Sequence, residues 1–211
     1  MAKKRYQGTS NDKERSTQKL IEAVGIIIKS KGYTGLTATN ISKAAGLSRR
    51  LITIYFESLE NLIETYFRNK NYWVAALGHV NEMIEKNQGG NTRQLLDFLL
   101  QNQLDCFYED EEMQKVILWQ ISQRNQIMHE ISEDRERFGS SFFNLADKEL
   151  SGKDIDLRAV TGLLVAGIYY LVLHAKSNDS LFCEIDINNQ EGMIRIKKAI
   201  SSILEKVYDE V

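Results

Sequence analysis

The residues best suited to chemistry with a partner are two adjacent arginines, Arg49 and Arg50, within the stretch Leu36 to Phe56, LTATNISKAAGLSRRLITIYF. A guanidinium is a planar fork of donors, and it pairs bidentately with O6 and N7 of guanine at the edge of the DNA major groove. Constellations for making or breaking bonds do not stand out. The sequence has no HExxH, no GxSxG and no glycine loop of the phosphate-cradling kind. Its three histidines, His79, His129 and His174, are scattered, and His129 with Glu133 four residues on has no third ligand at hand. Cys106 and Cys183 are far apart and make neither a CxxC nor a disulfide framework, so both are expected to be small buried apolar residues. Asn178-Asp179-Ser180 is a glycosylation sequon by letter only. No catalytic residue, metal or cofactor is expected, and the chain is read as a binding protein rather than an enzyme.

Arg-Arg alone fits a solvated basic turn equally well, so the elements that would position it decide. Thr37 is suited to cap a helix by accepting a backbone N–H. Ile41, Ala44 and Ala45 then share a face, and the two alanines would let a second helix approach closely. Gly46 suits the left-handed residue that ends a helix, Leu47 can plug the angle, and Ser48 can cap a second helix running through Leu51, Ile52 and Tyr55. Two short capped helices around a glycine are the pattern of a helix-turn-helix, whose second helix enters the major groove with its N-terminal residues on the bases. With Leu47 and Ile52 facing inward, Arg49 and Arg50 face outward.

Ala23-Val24, Ile27-Ile28, Gly32-Tyr33, Thr37, Ile41, Ala45-Gly46-Leu47-Ser48, Tyr55-Phe56 and Ser58 together resemble the N-terminal domain of the tetracycline-repressor (TetR) family of bacterial transcription regulators. The resemblance covers about Leu20 to Leu62, three helices rather than one. It implies base contacts from Arg49, Arg50 and Thr53 and phosphate contacts from Thr37 and Tyr55, with Ser48 in the same DNA-facing set. Three departures stand out: the bulky Arg50 and Leu51 where the family often has small residues, Thr53 where it usually has Tyr, and Leu59 where it usually has a phosphate-binding Lys. The family further implies a ligand-responsive repressor, a homodimer built through the last two helices as a four-helix bundle, and a palindromic operator. Two other readings stay open: a dimeric DNA-binding protein without a ligand, and a helical interaction protein whose helix-turn-helix is only structural.

Composition agrees with an all-α protein. The 211 residues are 43% hydrophobic and contain no proline, where average usage would give about ten. A chain without proline can run long uninterrupted helices. The net charge of −2 is unevenly divided: residues 1–56 hold eleven Lys+Arg against three Asp+Glu (+8), leaving sixteen against twenty-six (−10) for residues 57–211. A basic head on an acidic body suits nucleic acid at the head. The N-terminus shows no secretory signal, and the longest uncharged run, Ala159 to Ala175, is 17 residues, short of the ~20 a spanning helix needs. A cytoplasmic protein with no membrane partner is expected.

The division expected is residues 1–57 for DNA binding and 58–211 for regulation and dimerisation. Residues 1 to about 10 read as a basic arm. A first helix is expected from about Lys13 to Lys31, started by Asn11 and Glu14 and stopped by Gly32, with Tyr33 packing under the domain. A fourth begins at the Ser58 cap and continues through Tyr72, Trp73 and Ile84, bent near Gly78, as a lever between head and body. After Gln88-Gly89-Gly90-Asn91 come helices at about Thr92–Tyr108, Met113–Ser122, Gln126–Leu150, Asp154–Lys176 and Gln190–Tyr208. The acidic run Glu109 to Glu112 should start the second of these rather than bind metal, and Leu181-Cys183-Ile185-Ile187 alternates like a short strand. Phe107, Trp119, Phe142, Tyr169 and His174 are candidates to line a pocket for an apolar or amphipathic effector, although aromatic residues at helical spacing fill cores by default.

Overall fold

A computed structural model describes residues 8–70 and 91–209. The head comprises α1 (Gly8–Lys31), a 3-10 turn (Tyr33–Gly35), α2 (Ala38–Ala45), α3 (Arg50–Phe56) and α4 (Leu59–Lys70). The body comprises α5 (Thr92–Glu109), α6 (Glu111–Ser122), α7 (Gln126–Glu149), α8 (Leu157–Asn178) and α9 (Gln190–Asp209). The fold is all-α, as composition and periodicity imply. The continuation of α4 through Tyr72 to Ile84, with its bend at Gly78, lies outside the described residues, as does most of the basic arm.

Short polar side chains begin the helices. Asp110 accepts the N–H groups of Glu112 and Met113 at 2.9 and 3.0 Å, so the acidic run does start a helix. Asn125 caps α7 through Ile127 and Met128 N–H, and Asp156 caps α8 through Ala159 N–H at 2.9 Å. Ser58 caps α4 through Asn61 N–H at 3.0 Å. Gly32, with φ 65°, follows the end of α1.

Several expectations need correction. Helix α1 begins at Gly8, so Asn11 lies inside it instead of capping it. The alternation after Leu181 is no strand: Phe182 and Ile185 exchange two backbone hydrogen bonds at 3.0 Å around Cys183 and Glu184, both at positive φ. That is a two-residue hairpin turn, an isolated bridge that no strand among the described residues extends. Both cysteines are exposed rather than buried, Cys183 because it sits in this turn and Cys106 because it lies on an outward face of α5. Helix α8 outruns its uncharged segment, and its 22 residues are long and apolar enough, by length and composition, to cross a membrane. Its buried side (Leu157, Ile168, Val172, Ala175) nevertheless belongs to the core of the body.

Two hydrophobic clusters organise the chain. The head cluster joins Leu20, Val24, Ile27 and Ile28 of α1 to Ile41, Ile52 and Phe56, and continues through Leu62, Ile63, Tyr66 and Phe67 of α4 into Val116, Trp119 and Met128 of the body. In the body, α5 is the central helix and touches α6, α7, α8 and α9. At the seam, Tyr33 stacks on Trp119 with centroids 5.7 Å apart, so Tyr33 does pack under the head. Glu112, only 1% exposed, accepts a hydrogen bond from the Tyr66 hydroxyl and pairs with Lys70 and, at 3.6 Å, Lys29. A buried carboxylate needs such partners to remain charged. The seam therefore ties α1 and α4 to α6 by an ion cluster as well as by packing.

Candidate nucleic-acid interface

Each turn of the helix-turn-helix is closed by a named bond. Thr37 is extended (φ −116°, ψ 151°) and its Oγ1 accepts the Asn40 N–H at 3.2 Å. Asn40 in turn donates from Nδ2 to the Gly35 carbonyl at 2.9 Å and accepts from Lys31 Nζ at 3.2 Å, which fixes α2 to the end of α1. Gly46 is left-handed at φ 66°, ψ 30°. Its N–H reaches the Lys43 carbonyl at 3.2 Å, and the Leu47 N–H reaches the Ser42 carbonyl at 3.0 Å. This is the paired bonding of a Schellman ending, which a Cβ at position 46 would strain. Ser48 Oγ accepts the Arg50 N–H at 3.3 Å and so starts α3. Ala45 and Leu47 pack against the head core, whereas Ala44 faces solvent.

Burial then orients α3. Ile52 and Phe56 are inside the head, and Leu51 and Tyr55 are half-buried. Arg49, Arg50, Thr53, Ile54 and Glu57 are exposed. Arg50, Thr53, Ile54 and Glu57 follow the three-and-four spacing of one helix face. Beside them runs a groove of about 620 Å³ lined by Ala38, Ser48, Arg49, Arg50, Ile52, Thr53 and Leu59. Four residues of the expected DNA-facing set, Ser48, Arg49, Arg50 and Thr53, therefore meet at one surface. Thr37 adjoins it through Ala38, at the start of α2. Tyr55 does not line the groove, and Lys13 lies over its ring with Nζ 5.8 Å from the centroid. Leu59 lines the groove with an apolar wall where a lysine would have supplied charge.

The five pocket candidates fall in three places. Phe107 is fully buried and meets Tyr169 edge-on at 4.8 Å, and Phe142 lies in the same cluster. Trp119 is separated from them, in the seam against Tyr33 and Phe67. His174 is near the surface, beside Tyr170 and Phe182, with Nε2 2.9 Å from Ser180 Oγ. The Tyr169 hydroxyl is buried within this cluster. Burial pushes that hydroxyl above its ordinary value, with Arg135 and Gln103 pulling the other way. Sequence reasoning passed over Arg135 and Gln103, whose convergence with Tyr169 depends on how α5, α7 and α8 pack. It also passed over Ile54, although buried Ile52 and Phe56 on either side already imply that position 54 faces out.

No family model and no curated protein matches the sequence. Solved structures do match the fold. A TetR-like transcriptional regulator from Rhodococcus sp. RHA1 is 16% identical, covering 90% of this chain and 94% of its own, with TM-score 0.63. The transcriptional regulator FadR from Bacillus subtilis, solved with stearoyl-CoA, is 17% identical over 89% of this chain and 96% of its own, with TM-score 0.59. NalD from Pseudomonas aeruginosa, the secondary repressor of the MexAB-OprM multidrug efflux pump, is 14% identical over 92% of this chain and 96% of its own, with TM-score 0.57. The chain thus has the fold of TetR-type regulators along most of its length.

Proposed function

We propose that this chain is a sequence-specific DNA-binding transcription regulator, a ligand-responsive repressor that works as a homodimer on a palindromic operator. Residues 1–57 read the DNA; residues 58–211 dimerise and receive the effector. The observation that carries this reading is the exposed pair Arg49 and Arg50, aimed outward beside Thr53 and Ser48 by a helix-turn-helix whose turns are closed by named hydrogen bonds. The basic head supplies the sequence-independent, salt-dependent part of the affinity. Such a protein acts where the DNA is, in the cytoplasm, and is not an enzyme.

The dimer reading rests on α8 and α9. Leu163 is 76% exposed and Tyr170 53% on one side of α8, and Ile203 of α9 is 41% exposed. Gly162 and Gly167 leave open space where side chains would stand. Two copies joined through these helices would cover the apolar surface and carry two recognition helices, which read half-sites ~34–36 Å apart. The same contact accounts for an apolar α8 without a membrane. An effector with an apolar part would lie against the Phe107–Tyr169 cluster, and the stearoyl-CoA of the Bacillus subtilis relative makes a long-chain acyl compound the first to try. A ligand shifts the heads only by its difference in affinity for the two arrangements.

Fluorescence anisotropy on labelled DNA from upstream of the gene tests the reading, with the full chain and an Arg49→Ala/Arg50→Ala variant at several salt concentrations. Saturation at one dimer per palindrome is expected, falling about a hundredfold or more in the variant, since each bidentate arginine contributes roughly 1–3 kcal/mol. Weak binding indifferent to sequence and to both arginines would sink it.

A further inference from the structure

We infer that Ile54 is a specificity-determining residue that reads the C5-methyl group of a thymine in each half-site. The inference rests on the DNA-binding reading above and extends it to a residue and a base.

Ile54 stands out because nothing in the head explains it. It is 56% exposed, on a seven-residue helix whose other large aliphatic and aromatic side chains are buried or half-buried. Four residues after Arg50 and one after Thr53, it lies on the strip that bears the arginine. An isoleucine in that place can form no hydrogen bond to a base edge. The major groove offers one apolar feature, the thymine methyl, and apolar side chains at base edges meet it. Cytosine at the same step presents only a C5–H in place of the methyl, so the apolar contact is lost. The β-branched side chain also has little rotamer freedom to lose on contact. Ile54 therefore favours thymine and disfavours cytosine at one step.

Helix geometry fixes where that step lies. Four residues of α-helix rise about 6 Å, and successive bases are spaced about 3.4 Å along the duplex. The thymine should lie about two base steps from the guanine read by Arg50. Glu57, exposed and three residues further on, ends the strip with a negative charge and a left-handed backbone (φ 67°). Base reading thus closes at Ile54, because a carboxylate there repels the phosphates rather than grips them.

The experiment begins with selection of bound sites from random DNA by the full chain. Each thymine in one half-site of the selected operator is then replaced by uracil, which removes only the methyl, and binding is measured for the parent, Ile54→Ala and Arg50→Ala. In the parent, one thymine near the guanine lost with Arg50→Ala should weaken binding about four-fold as uracil, the effect of leaving one methyl group unburied. In Ile54→Ala, thymine and uracil should bind alike. A circular-dichroism melt matching the parent shows the variant folded. Indifference of the parent to every uracil, or the same loss in parent and Ile54→Ala, overturns the assignment while leaving the regulator reading standing. Failure of the parent to select any sequence overturns both.

Discussion

The exposed strip of α3 and the outer face of α8 both leave apolar side chains in water, in opposite company. On the strip, Ile54 stands alone among Arg49, Arg50 and Thr53. On α8, Leu163 and Tyr170 share one side of a helix that is apolar for most of its length, and Ile203 on α9 is a further exposed apolar side chain. A single apolar group among cations suits a polyanion that carries isolated methyls; a contiguous apolar face suits another protein surface. The contrast also separates what each region needs for its own folding. The head closes its core with help from Val116, Trp119 and Met128 of the body, while α8 packs against α5 and α6 and α9 packs against α5.

The sharpest way to break this comparison is to charge the apolar face. Leu163→Asp should convert the proposed dimer to monomer in sedimentation velocity and lower operator affinity about a hundredfold or more, because the second head no longer binds as part of the same molecule. The isolated chain should melt nearly as before, since surface changes cost within about 0.5 kcal/mol. Leu204→Ala, at a fully buried site of α9, tests the inward side of the neighbouring helix. It should cost about 2–5 kcal/mol in urea unfolding, and an equal cost for an exposed position such as Ile203→Ala would erase the distinction between the two sides.

Smaller effects belong to the seam. Glu112→Ala should destabilise by roughly 1–3 kcal/mol, because the buried Tyr66 hydroxyl loses its acceptor. Gly25→Ala should act at the same place, since the added methyl would overlap that hydroxyl. Tyr66→Phe should relieve most of the Gly25→Ala cost, and a strictly additive double mutant in chemical denaturation would contradict the packing described.

The smallest effects concern charge. Arg158 donates two hydrogen bonds of 2.7 Å to Asp147 and holds its carboxyl below the ordinary 3.8. That contribution is present above the unfolded value and is lost as pH falls through the lowered folded one, so Asp147→Asn should flatten only the acid limb, and slightly, because the pair is exposed. Burial raises the hydroxyls of Tyr169 and Tyr208 above 10.0. Their contribution is present below pH 10 and lost as pH rises through the raised values, so Tyr169→Phe should flatten the alkaline limb in melts recorded between neutral and strongly alkaline pH.

Most of the fold was legible from local chemistry. Thr37, Gly46, Ser48, Ser58 and Asp110 act within a few residues of themselves, so their types and spacing suffice to place a cap or a turn. The exposure of Arg49 and Arg50 followed from the inward phase of Leu47 and Ile52. Cys106, by contrast, was expected inside, because residue type carries only a bias toward burial and the packing of α5 decides which side faces out. The Leu181 alternation misled for a related reason: a period of two makes a strand only when another strand lies alongside.

The sequence by itself determined the all-α class, the helix-turn-helix with its two arginines, and the basic head on an acidic body. These depend on backbone propensity, on neighbours along the helix, and on charge counted along the chain. Only the tertiary structure decided that Trp119 belongs with Tyr33 at the seam rather than with Phe107, that Glu112 alone of its acidic run is buried against Tyr66, Lys70 and Lys29, and that Arg135 and Gln103 lie near the Tyr169 hydroxyl. Each of these joins residues more than thirty positions apart, and the free energy that selects them comes from burying whole helix faces against one another. That quantity depends on the angle and rotation at which helices meet, and no short stretch of sequence encodes it.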